Sequence, residues 1–342
     1  MYKSKILLLT PIFLFLISCP ITSFCNPVLT NSNKDNKILI LGVNDQNLTN
    51  SMQFNTSSFL TELNFAFVEK RNPKFGKEIL SDNGLNSFWS LWNSCPFRCV
   101  EDDFVVRVTE GLNDLDEYKI RDLPIFFQKG NEEESYEEVV LVFNSKGQIE
   151  NICLSIGTPM IIKALKEADD FTDIRRKQIL FNFIENFKTA YLKKDIYFID
   201  KVLKDSVIIH TGSNIKMPQK SDDSKNSNFS KEEKFYSSKT KSEYLNRLRT
   251  EFTANNYINV KFEVIEVLRY AIHPDIYSVT IKQLLNSSRY KDTGYVFLII
   301  DFKDDENPNI LVRTWQPEEY IGGTKINRKE VFNLGSFDLL NR

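Results

Sequence analysis

Apolar and polar positions along this chain fall into a two-strand pattern that occurs twice. Residues 136–156 (YEEVVLVFNSKGQIENICLSI) and 295–315 (YVFLIIDFKDDENPNILVRTW) each open on an aromatic-led apolar run. Each then passes a short polar turn holding Gly or Asn-Pro and ends in a second apolar run. Another apolar strand of similar length precedes each, at 118–127 and 276–285. Two copies of one supersecondary unit predict two tandem α+β domains, each with helices packed on a curved antiparallel sheet.

Helical periodicity fills the stretches before the strands. Thr56 or Ser57 is an acceptable N-cap for a helix carrying Phe59, Leu60, Leu63 and Phe67 on one face. Leu85, Phe88, Trp89 and Trp92 follow Gly84 at helical spacing. Strands are then expected at 97–108, 118–127, 137–143 and 149–155. In the second unit Thr172 or Asp173 caps a long helix with the stripe Leu180, Phe183, Ile184, Phe187 and Tyr191. Asp195 caps a shorter one, residues 207–210 make a short strand, and a third helix from Thr240 carries Leu245, Leu248 and Phe252. Four strands close the unit at 258–268, 276–285, 295–302 and 310–315.

This divides the chain into a leader (1–19), a polar tether with one short strand (20–55), an N-terminal α+β domain (56–157) and a second domain (172–317). A tail (318–342) holds Val331, Phe332, Leu334, Phe337 and Leu339, an apolar cluster expected to dock back on a domain. The polar insertion 213–237 lacks the apolar residues to pack and reads as a mobile loop.

Lys3 and Lys5 followed by an apolar stretch at 6–17 form a signal peptide, too short for a bilayer span of ~20 residues. Leu16-Ile17-Ser18-Cys19 resembles a lipobox, which would make Cys19 the lipidated first residue of a membrane-tethered protein; the alternative is cleavage a few residues further on. Without the leader Lys+Arg falls from 44 to 42 against 46 acids, a charge of about −4. That mixed, mildly acidic surface offers no nucleic-acid footprint. Cys95, Cys99 and Cys153 are an odd trio and read as buried small residues rather than a disulfide framework.

Helix, helix, short strand, helix and four strands is an order that resembles the nuclear transport factor 2-like, or cystatin-like, cone fold. The segments that carry it are FIENFKTAYLKKDIYFIDKVLKDSVIIHTG (183–212), SEYLNRLRTEF (242–252), NSSRYKDTGYVFLIIDF (286–302) and VRTWQP (312–317). The likeness is to exported bacterial proteins of unknown role that pair this domain with a related N-terminal one. It implies a periplasmic or outer-membrane location and a conical pocket, used by different members for isomerisation, dehydration, small-molecule binding or protein docking.

A pocket built from Tyr191, His210, Tyr277, Arg313 and Trp315 would hold a small anionic or aromatic ligand through the Arg charge and ring stacking. Alternation puts Leu311, Arg313 and Trp315 on one face of the last strand. The competing reading leaves Arg313 on the solvent face and Trp315 as core packing. Catalysis would rest on His210 or Asp301, although an Asp before a polar turn usually binds backbone. No cofactor and no metal are expected, since the two histidines lack ligand spacing. The reading that follows is a non-enzymatic, lipid-anchored module for an unknown small molecule or protein partner. The alternative is a pocket enzyme of isomerase or dehydratase type using His210.

Overall fold

Two six-stranded sheets, each with helices on one face, organise the protein. The computed structural model describes residues 35–100, 103–110, 118–129, 133–212, 236–319 and 325–337. The leader with Cys19, the residues after it up to 34, most of the polar insertion and Leu339 lie outside the described residues.

The first sheet joins β1 (Lys37–Leu41), β3 (Asp103–Glu110), β4 (Tyr118–Lys129), β5 (Glu133–Phe143) and β6 (Ile149–Leu154) in that order, with β2 (Phe97–Cys99) also paired to β4. Helices α1 (Gln46–Val68) and α2 (Asp82–Ser94) cover it, burying Phe59, Leu60, Leu63, Phe88 and Trp92. The second sheet runs β8 (Tyr236–Lys239), β7 (Leu203–Gly212), β12 (Asn309–Pro317), β11 (Lys291–Asp301), β10 (Ile276–Ser287) and β9 (Ile258–Arg269). Over its inner face lie α3 (Thr158–Lys166), α4 (Phe171–Lys193), α5 (Ile196–Val202) and α6 (Lys241–Ala254). Both predicted repeats are hairpins, β5–β6 and β11–β12. The sheets are not wholly antiparallel, because β1 runs parallel to β3 and β7 parallel to β12.

Several boundaries differ from the sequence reading. The one short strand expected in the tether is β1, but residues 46–55 are helix rather than tether: Asp45 accepts from the Asn47 and Leu48 N–H groups, so α1 starts at Gln46. Asn55 and Thr56 are buried there, with the Asn55 amide donating to the Gly147 carbonyl at 2.8 Å. The stretch between the units is the helix α3, entered through Gly157 at φ 91° and Pro159. Asp170, not Thr172 or Asp173, caps α4. Residues 236 and 237, read as loop, pair with Gly212 and Thr211.

α4 joins the two halves, adding Leu192 to the first core and Leu180, Ile184 and Phe187 to the second. Its Thr189 Oγ1 accepts from the Leu154 N–H at 2.8 Å, so it shields the edge strand β6. Glu185, almost wholly buried, binds Arg121 at 2.5 Å, and Lys188 reaches Glu137 at 3.4 Å. On the outer face of the second sheet, Phe332, Leu334 and Phe337 of the tail pack on Phe297, Ile299 and Val312. Cys95, Cys99 and Cys153 are buried thiols, and burial pushes the Cys153 thiol up to about 12.

Candidate functional site

Arg313 is drawn into the second core by the register of β12. Its backbone pairs with Leu298 on one side and Ile209 on the other, and both partners point inward. The guanidinium is 6% exposed, with Cζ 4.8 Å over the Tyr244 ring of α6. Its Nη2 donates to the Tyr191 hydroxyl of α4 at 3.4 Å, and the two tyrosine hydroxyls are 2.8 Å apart. Tyr191 is held edge-on against Phe187 (5.3 Å) and Phe252 (6.2 Å). The Arg313 Nε is buried with no hydrogen-bond partner. Among the described residues no carboxylate forms an ion pair with Arg313.

The energetics of this arrangement are unfavourable to Arg313 as a stabilising residue. Removing an unpaired cation from water costs several kcal/mol even after relaxation. A desolvated cation–π contact returns about 2 kcal/mol, and a 3.4 Å hydrogen bond lies at the weak end of the range. Burial opposes the Arg313 charge, but the Tyr191 and Tyr244 hydroxyls hold the proton, and the net shift is upward. Burial likewise pushes the Tyr244 phenol well up, against the pull of Arg313. The cluster is a neutral-phenol cage around a fixed positive charge.

Of the five residues expected to form one pocket, Tyr191 and Arg313 meet. Trp315 faces the same side one pleat further along β12 and packs partly buried on the second core. Its indole lies against Gly294, where an added Cβ would come within 2.9 Å of Nε1.

His210 and Tyr277 do not join them. His210 follows the inward Ile209 and therefore projects to the outer face. There its ring stacks on Phe332 (6.3 Å) and Phe337 (6.0 Å), with Nδ1 2.9 Å from the Ser238 hydroxyl. Tyr277 points inward but donates to Asp173 at 2.7 Å in a separate cluster with Lys177. Leu311 shares no face with Arg313, because a β-bulge between Ile310 and Val312 shifts the alternation and turns Leu311 toward the tail side. The solvent-face reading of Arg313 is overturned by its burial.

Asp301 accepts from the Lys303 N–H at 2.9 Å, the backbone role its position suggested. It also borders a cavity of about 230 Å³ together with Lys204, His273, Ile276 and Leu311. Among the described residues no group of three or more His, Cys, Asp or Glu is placed to hold a metal ion. No helix there is long and apolar enough to cross a membrane.

Tyr244 was not among the sequence candidates. Its signal was the spacing Tyr244, Leu248, Phe252 at i, i+4, i+8, which marks the inward face of α6 as well as the aliphatic stripe does.

No protein-family profile matches the chain, and no curated protein does. Among solved structures, it is similar to a nuclear transport factor 2-like protein from Cytophaga hutchinsonii (11% identity, 41% of this chain and 97% of that one, TM-score 0.29). A nuclear transport factor 2-like protein of unknown function from Shewanella oneidensis gives 10% identity over 40% of this chain and 96% of that one, TM-score 0.30. The Bdellovibrio bacteriovorus protein Bd1075 gives 11% identity over 58% and 89%, also at TM-score 0.30. Scores this low carry no argument, and the fold description rests on the strand order itself.

Proposed function

We propose that the protein is a binding module whose ligand site is the interior of the second unit, around Arg313, Tyr191 and Tyr244, with Trp315 at its side. The observation that carries this is a buried guanidinium whose Nε donor has no partner, and whose side-chain contacts are phenols, among the described residues. A core built for stability alone would favour an apolar residue at this position. The isomerase or dehydratase alternative draws no support from His210, which faces the tail on the other side of the sheet, away from Arg313.

The test is thermal melting of the protein against a panel of small neutral aromatics and carboxylates. A raised melting temperature with at least one class is expected, since a ligand at 100 times its Kd adds about 2.7 kcal/mol. No shift across the panel would remove the small-molecule reading and leave protein docking.

The sequence also supports export and tethering through Cys19 to the cell envelope. Cys19→Ala is expected to abolish membrane-fraction recovery and labelling by a fatty-acid probe. Retained label would contradict the anchor.

A further inference from the structure

Arg313 is not the only cation at this end of the second unit that lacks an ion pair among the described residues. In strand register Lys239 pairs with Ile209, which pairs in turn with Arg313. Lys239 and Arg313 therefore stand on the same sheet face two strands apart, ~10 Å at the usual strand spacing. Arg247 lies three residues beyond Tyr244 on α6, on the neighbouring turn of the same helix face.

Two of the charges act on the third: burial lowers the proton affinity of Lys239, and Arg247 and Arg313 lower it further against the pull of Glu243. Among the described residues none of the three forms an ion pair within 4.0 Å. Glu243, Glu251 and Asp292 lie nearby, but among the described residues none of them closes an ion pair with the three cations. Glu243 is taken up by the Thr240 cap at 2.8 and 2.9 Å. Glu251 and Asp292 act on Tyr290. The Asp292 carboxyl is itself pushed up by burial, with the Thr293 N–H opposing.

We infer that the site takes an organic anion: a small carboxylate with an aromatic or apolar body. The carboxylate lodges against Arg313, the body packs on the Tyr244 and Trp315 rings, and Lys239 and Arg247 supply the field that draws it in. The inference rests on the binding-site reading above and adds the ligand's charge and the two outer cations. Arg313 presents a fixed planar donor set suited to a carboxylate. Lys239 is half-buried and Arg247 exposed, so their contribution is long-range and weakened by salt.

The experiment uses the full exported chain and two probes of nearly equal shape, 3-phenylpropanoate and its neutral amide, titrated by calorimetry at low and at physiological salt. The acid is expected to bind at least about tenfold more tightly than the amide, the range a charged hydrogen bond supplies. Lys239→Gln and Arg247→Gln touch no packed core; each is expected to weaken the acid several-fold at low salt and leave the amide unchanged. Equal binding of acid and amide would overturn the anion assignment while sparing the proposed binding site. Binding of neither, by protein that melts cooperatively, would overturn the binding-site reading itself. Acid binding that ignores both substitutions at low salt would remove Lys239 and Arg247 from the site.

Discussion

Glu185→Ala is expected to cost about 3–5 kcal/mol, because it strands a buried cation. Arg121 is aimed at Glu185 by a bulge in β4, where Asp122 adopts φ 57° and its carboxylate accepts from the Ser155 hydroxyl at 2.6 Å and the Thr158 N–H at 3.3 Å. Glu185 also accepts from the Ile156 N–H at 3.3 Å. Removing its carboxylate thus leaves the Arg121 charge without its counterion and a buried N–H unmet, at the point where α4 fastens the two halves. Burial works against the Arg121 charge, yet Glu185 raises its proton affinity overall. Urea denaturation followed by tryptophan fluorescence measures the loss, with Phe88-side tryptophans (Trp89, Trp92) reporting the first unit and Trp315 the second. Loss of under ~1 kcal/mol would mean that the pair does not hold the junction.

Asp173 is the second position where a single change should be severe. It is 1% exposed, pairs with Lys177 at 2.9 Å, and accepts from the Tyr277 hydroxyl and the Asp169 N–H. Asp173→Ala leaves the buried Lys177 ammonium without its counterion, holding only the Glu167 carbonyl at 3.0 Å, and is expected to cost ~3–5 kcal/mol. The same site predicts acid sensitivity. Burial raises the Asp173 carboxyl, but Tyr277 and Lys177 more than offset that, and its pKa lies below the ordinary 3.8. A carboxyl whose folded-state pKa is depressed contributes stability above its unfolded pKa and loses it as pH falls through the folded value. Stability of the wild type should therefore decline below about pH 4, whereas Asp173→Asn should be less stable at pH 7 and flatter in acid. Parallel pH curves for the two proteins would contradict this role.

The parts of the fold legible in the sequence were those carried by strong periodicity or by a capping residue. The stripe from Leu180 to Tyr191, the caps Asp195 and Thr240, and the two hairpins all fall where their patterns place them. The first ten residues of α1 were missed because that stretch buries Thr49 and Asn55 beside only Leu48 and Met52, so its inward face looks polar. α3 was missed because nine residues beginning Thr-Pro read as a link until Ile161 and Ala164 find the second core. The site was half visible. Alternation along β12 put Arg313 and Trp315 together, but no local pattern reveals that a bulge displaces Leu311. Nor does one reveal that the docked tail claims the His210 face. These are tertiary facts: which side of a strand becomes interior depends on where distant helices and the tail come to rest.

On the proposed function, Arg313 is buried for a ligand and not for the fold. Thermal melts of the wild type and Arg313→Met, each with and without an aromatic carboxylate, test it in one experiment. Methionine fills the space of the side chain without the charge, so the unliganded variant is predicted to melt no lower than the wild type, in line with apolar replacements of buried ions that are neutral or stabilising by ~1–4 kcal/mol. Ligand should raise the melting temperature of the wild type only. An unliganded Arg313→Met protein that melts far below the wild type, beside a wild type that no carboxylate shifts, would show that the cation serves the core and would contradict the account.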